Sequence, residues 1–300
     1  MSENRATCRL GSTGAARSFS EECTVVMAAV KLAFTSDLHL PITKDAPITD
    51  LARAIRDFAP DALIVAGDLG ESLADGKRCL QLIREQVPAP IWVLPGNHDV
   101  WARPPYDSRK LFLEQFPATV RACGCQYLEG TSFVLKGVAV AGTIAWYDYS
   151  AADPIVKATA MQFAQQKFHH NADALRIDWE WADPEFAERV SVPFLSQLDH
   201  LESDPSVKRI VVATHVPLVE GQMHRDASDE RWAFSNAYFG NLTLGRKVLG
   251  HRKVSHVVSG HTHRGKQSVI ERKEMPAVHA HVLASDYEKP AWLGLAVETG

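Results

Sequence analysis

Five short polar clusters carry the side chains that could do chemistry in this chain: Asp37-Leu38-His39, Gly67-Asp68, Gly96-Asn97-His98-Asp99, Thr214-His215 and Gly260-His261-Thr262-His263. They offer carboxylate, imidazole and one amide oxygen, and no thiolate. That mixture suits Mn, Fe, Zn or Co better than Ca or Mg, which favour all-oxygen shells. One cation needs three or four ligands and seven candidates are present, so two divalent transition metals are expected. A carboxylate has two oxygens to share between cations, which makes Asp68 the expected bridge.

Each cluster follows an apolar, β-rich run: Leu32 to Thr35, Ala62 to Ala66, Ile91 to Leu94, Ile210 to Ala213 and Val254 to Val258. Five strand ends of an α/β sheet can converge on one crevice outside their carboxyl ends. Asp37 with His39, and His261 with His263, are two residues apart, a spacing that extended backbone turns to one side. Leu51, Ile55 and Phe58 predict an amphipathic helix ending before Pro60, and Leu80, Ile83 and Val87 predict a second. This alternation implies right-handed βαβ units and a largely parallel sheet. Phe133 to Ala141 reads as a hairpin and Ala277 to Ala284 as a further strand, giving a second, more antiparallel sheet. Residues 146–190, with their tryptophans among charges and a helix from Pro154 to Phe168, read as an insertion capping one end of the sheet. Residues 1–29 read as a disordered tail, and 30–300 as one domain.

The ordered motifs D-x-H, G-D, G-N-H-[DE], H and G-H-x-H resemble those of the calcineurin-like metallophosphoesterase superfamily, over roughly residues 31 to 265. The resemblance implies an α/β fold in which a sandwich of two mixed sheets is flanked by helices, with a dinuclear centre at the strand ends. Carried over by position, one metal would be held by Asp37, His39, Asp68 and His263. The other would be held by Asp68, Asn97, His215 and His261, with His98 as the catalytic histidine that binds neither. Asp99 is expected to support the loop. The protein Ser/Thr phosphatase branch reads G-D-x-x-D-R-G, whereas this chain reads Gly67-Asp68-Leu69-Gly70-Glu71-Ser72. That departure counts against a phosphoprotein substrate and leaves the acidic partner of His98 unidentified.

Lysine plus arginine number 32 against 36 acidic residues, a net charge of −4, which provides no global field for DNA or an anionic membrane. Five cysteines are an odd number, too sparse for a disulfide scaffold, and fit a reducing, cytoplasmic compartment. No apolar run approaches the ~18 residues of a membrane span. The expected function is hydrolysis of a small phosphodiester or phosphomonoester by hydroxide generated at the two cations. A nuclease is the main rival, favoured only by Arg246, Lys247, Arg252, Lys253, Arg264 and Lys266. A non-enzymatic scaffold would be expected to lack ligands, and a zinc peptidase would need the His-Glu-x-x-His that this chain does not contain. Cys123 with Cys125 reads as packing or turn residues, His169-His170 as a solvated helix end, and His224 and Arg225 as a solvated loop.

Overall fold

The computed structural model describes residues 29–299 apart from residues 104 and 106. All but the last residue of the expected disordered tail lies outside the described residues. In chain order the strands are β1 (Ala29–Thr35), β2 (Ala62–Ala66), β3 (Ile91–Leu94), β4 (Gln126–Tyr127), β5 (Thr131–Leu135), β6 (Val138–Thr143), β7 (Arg209–Thr214), β8 (Val254–Ser259), β9 (Lys266–Arg272), β10 (Met275–Val282) and β11 (Trp292–Glu298). The helices are α1 (Asp45–Phe58), α2 (Leu73–Gln86), α3 (Ser108–Lys110), α4 (Phe116–Ala122), α5 (Ala160–His170), α6 (Asp173–Arg176), α7 (Asp183–Ser203), α8 (Glu230–Ser235) and α9 (Leu242–Val248).

Two mixed sheets result, ordered β11-β1-β2-β3-β4 and β5-β6-β7-β8-β10-β9. The central pairs are parallel, as the alternation predicts, whereas β11, β5 and β9 are antiparallel edges. The first sheet is thus largely parallel, from β1 through its β4 edge, and the second carries two antiparallel edges, in line with the expectation of one largely parallel sheet and a second, more antiparallel one. Leu32, Phe34, Ile64 and Leu94 from one sheet meet Val140, Val211, Ala213 and Val258 from the other between the layers. Burying each large side chain there contributes about 1.5–3 kcal/mol. The outer face of the first sheet is covered by the apolar stripe Ile48, Leu51, Ala52 and Ile55 of α1, together with Leu80 and Ile83 of α2. The outer face of the second is covered by Phe194 and Leu198 of α7 and by Leu244 and Val248 of α9. This is the sandwich flanked by helices that the motifs imply.

The hairpin turns at Lys136 and Gly137, both with positive φ (46° and 84°), the two-residue geometry that matches strand twist. The predicted helix from Pro154 instead begins at Ala160, where Thr159 and Gln162 form a reciprocal cap that stops the helix from extending backward. Residue 190 lies inside α7, whose first half packs with the insertion and whose second half packs on the sheet. Trp146, Tyr147 and Phe186 are wholly buried in one aromatic cluster with Tyr238, so they form a satellite core. No helix of the described residues is long and apolar enough to cross a membrane.

Candidate dinuclear metal centre

Strand register brings the motif loops together. Thr35 pairs with Val65 and Ala66 with Leu94, so the loops after β1, β2 and β3 leave the first sheet side by side. In the second sheet Ala213 pairs with Val258, which aligns the loops carrying His215 and His261. The two loop sets interlock where Gly96 passes Asp68: a Cβ on Gly96 would stand 2.1 Å from Asp68 Oδ1 and 2.7 Å from His215 Cε1.

The i, i+2 pairs do converge, but not through extended backbone. Asp37, His39, Asp68, His261 and His263 all have positive φ, between 46° and 71°. Left-handed backbone at a non-glycine residue costs roughly 1–3 kcal/mol and concentrates at functional sites. Five such residues in one rim mark a place where side-chain aim has outweighed local backbone preference.

Tautomers follow from the outer partners of each imidazole. A carbonyl can only accept, so His215 Nδ1–H donates to Ala66 O (2.9 Å) and His261 Nε2–H donates to Tyr238 O (3.1 Å). His39 Nδ1 contacts Glu71 Oε1 at 3.2 Å, and His263 Nδ1 lies 3.5 Å from Asp286 Oδ1. In the neutral rings the inward nitrogens are then lone-pair acceptors, and in the His215 imidazolium the inward nitrogen carries a proton where a cation would bind. His215 Nε2 and His261 Nδ1 face each other at 3.2 Å, and Asn97 Oδ1 lies 2.9 Å and 3.1 Å from them. His39 Nε2 and His263 Nε2 face each other at 3.1 Å, with Asp37 Oδ1 3.5 Å from the latter. Asp68 Oδ2 stands between the clusters, 3.4 Å from His215 Nε2 and 3.7 Å from His39 Nε2, while Oδ1 accepts from His98 N–H. One carboxylate oxygen, rather than two, faces both clusters. Such acceptors aimed at one another in buried space call for positive charge between them, a proton or a metal cation, and the mix of imidazole, carboxylate and amide oxygen fits two cations. Overlapping groups able to hold a metal are Asp37, His39 and His263; His39, Asp68 and His98; and Asp37, Asp68 and His215.

Protonation follows the same crowding. Burial favours the neutral forms, yet hydrogen bonds from His39 and His98 hold Glu71 at about 2. Burial lowers His215, but the Asp68 carboxylate overrides it and holds the imidazolium up at about 9. His261, buried and beside that charge, falls to about 4. Burial and the Asp68 charge push Asp99 up to about 7. Asp99 accepts from the backbone N–H groups of Asp68, Leu69 and Gly96, which is the loop support expected of it.

Sequence reasoning missed Glu71. Its Oε1 accepts from His98 Nδ1 at 2.8 Å and its Oε2 from Arg103 at 3.3 Å, making it the acidic partner of His98. Glu71 stands three residues after Asp68, where G-D-x-x-D carries its second acid, and that register was the available signal. The His98 ring stacks on Trp101 at 3.6 Å. His170, read as solvated, lines the pocket and stacks on Phe234. Arg225 is occupied by Glu220 and Ala151 O, whereas His224 accepts from Arg264, whose guanidinium lies 4.2 Å over Trp232. Cys123 and Cys125 are free thiols.

The family description calcineurin-like phosphoesterase matches residues 30–265. The chain belongs to this family. No curated protein matches the phosphoesterase significantly. Among solved structures, phosphopantetheinyl hydrolase (PptH) from Mycobacterium tuberculosis superposes with a TM-score of 0.66 at 17% identity, covering 88% of this chain and 92% of that one. A dimetal phosphatase from Danio rerio superposes with a TM-score of 0.52 at 14% identity, covering 90% and 93%. At these identities the likeness is one of fold, and it matches the two-sheet architecture of the phosphoesterase described above.

Proposed function

We propose that this phosphoesterase hydrolyses a small organic phosphomonoester or phosphodiester with two divalent transition-metal ions, Mn, Fe, Zn or Co. Asp37, His39, Asp68 and His263 would hold one, and Asp68, Asn97, His215 and His261 the other. The observation that carries this reading is the convergence of inward nitrogens from four imidazoles, whose outer nitrogens each face an acceptor, on Asp68 and Asn97. Cations bound there supply Lewis-acid stabilisation of charge on the phosphoryl oxygens and activation of the attacking water.

The chain's own groups do the remainder. Glu71 orients His98 and, with the Asp68 charge, raises its pKa above the usual value against the opposing effect of burial. A cationic imidazole beside the reacting phosphate suits His98 to protonate the leaving alkoxide. The pocket holds about 630 Å³ and adds Trp101, Trp232, Phe239 and Tyr287 around the polar centre. That space exceeds a bare phosphate and favours an organic leaving group. Arg264 has no carboxylate partner among the described residues and offers a contact for a second anionic group.

One observation weighs against a nuclease. Arg252 and Lys253 precede β8 whereas Arg264 and Lys266 follow it, so a strand of six residues, roughly 20 Å, separates the halves of the basic cluster. A scaffold role does not explain why all seven donors converge. The free Cys79, Cys123 and Cys125 support a reducing, cytoplasmic compartment. The deciding experiment assays the Mn-reconstituted chain on p-nitrophenyl phosphate, bis-p-nitrophenyl phosphate and cyclic nucleotides. Turnover that chelation abolishes and Mn restores is expected, and metal-independent or absent turnover across the panel would overturn the proposal.

A further inference from the structure

One residue of the insertion reaches the metal centre. Asp173 opens α6 and is fully buried. Its Oδ1 accepts from Asn97 Nδ2 (2.9 Å) and from Trp101 Nε1 (2.6 Å), and its Oδ2 accepts from Tyr147 Oη (2.8 Å). An indole N–H can only donate, so the oxygen it meets is an acceptor, and Asn97 must turn its NH2 toward that same oxygen. Asn97 Oδ1 is thereby turned inward, to His215 and His261. The neutral His261 ring presents a lone pair to which an inward NH2 could donate, so His261 by itself would favour the opposite pose of the amide. Asp173 therefore fixes which way the amide faces, in the orientation that a cation beside His215 and His261 rewards. The same oxygen fixes Trp101, on which His98 is stacked.

Resting on the two-cation reading, we propose that Asp173 is a positioning residue: it orients the Asn97 oxygen toward the second metal and sets the indole beneath His98. The insertion is then part of the centre rather than a removable cap. Tyr147, on the other carboxylate oxygen, shares the burial of Asp173 but has no part in aiming the amide.

The test titrates Mn²⁺ alone into the metal-free full chain by calorimetry. Two equivalents in the wild type are the precondition; fewer would defeat the two-cation reading itself and say nothing about Asp173. With that met, Asp173→Ala is expected to weaken the second equivalent 10- to 100-fold, the usual effect of losing an outer partner of a ligand, and to leave the first unchanged. Tyr147→Phe is expected to keep both. Adding Asn97→Asp to Asp173→Ala should restore the second equivalent, because a carboxylate presents an oxygen whichever way it turns. If circular dichroism shows that Asp173→Ala does not fold, Asp173→Glu, which displaces the oxygens by a methylene, takes its place with the same expectation. Unchanged Mn²⁺ affinity in the Asp173 variant, or equal weakening in Tyr147→Phe, would overturn the proposal.

Discussion

Gly96→Ala adds one methyl group at the tightest point of the candidate centre. Gly96 needs no left-handed backbone, so alanine is conformationally allowed there and the whole effect is steric. The new Cβ would stand 2.1 Å from Asp68 Oδ1, 2.6 Å from Asp68 N and 2.7 Å from His215 Cε1. Real Cβ contacts essentially never fall below 3.0 Å, so the Asp68 carboxylate must retreat by about 0.9 Å and, because the Asp68 N contact is backbone, the two loops must part as well. Such overpacking costs about 1–3 kcal/mol of stability, which a chain of this length can absorb. A metal site cannot absorb it, because ligand distances are held within about 0.2 Å, and the displaced oxygen belongs to the carboxylate that faces both clusters. The variant should therefore remain folded, with a thermal midpoint a few degrees lower, and lose most Mn from both positions when measured by elemental analysis after desalting. A folded Gly96→Ala protein that keeps wild-type metal content would refute the claim that Asp68 is fixed there as a shared ligand.

Further outcomes follow from the same geometry. His98→Ala should retain both metals and lose roughly 10²- to 10⁴-fold in turnover, less on p-nitrophenyl esters than on alkyl esters, whereas His215→Ala should lose metal. An equal defect on good and poor leaving groups would remove His98 from the role of acid. Arg264→Ala should raise KM about tenfold for substrates with a second anionic group while leaving kcat in place; an unchanged KM would discard that contact. Glu129 is pushed up by burial from 4.5 to about 7, against hydrogen bonds from Thr143 and Ile144 N–H. The folded state thus favours its neutral form, and the associated stability, complete below about pH 4.5, is lost as pH rises through 7, amounting to about 3 kcal/mol. Urea unfolding of Glu129→Gln should show the variant gaining 2–3 kcal/mol on the wild type between about pH 5 and 8; parallel pH profiles would contradict this.

The metal-ligand candidates were legible because their information is local: each is a polar group directly after a β-rich run, and a parallel sheet brings such positions level. Edge strands were harder. Two-residue β4 is too short to show a pattern, and β9 and β11 are exposed along much of their length, so little hydrophobic alternation marks them. The left-handed backbone at Asp37, His39, His261 and His263 was not foreseeable from side-chain period, which assumes extended chain. Glu71 sat within a recognisable register but is glutamate where the pattern has aspartate, and the Arg-Gly that follows there is absent. Asp173 carried no local signal: its partners Asn97, Trp101 and Tyr147 are 76, 72 and 26 residues away, in a segment whose aromatics read as a separate unit. Only packing revealed that they share one carboxylate.

The central claim is that two sets of inward-facing ligand atoms, sharing Asp68, hold two cations. The most direct measurement is elemental analysis of the full chain after reconstitution with excess Mn and desalting. Two equivalents per chain, falling toward zero in Asp68→Ala, are predicted. One equivalent or none in the wild type, or two that persist without Asp68, would contradict the account.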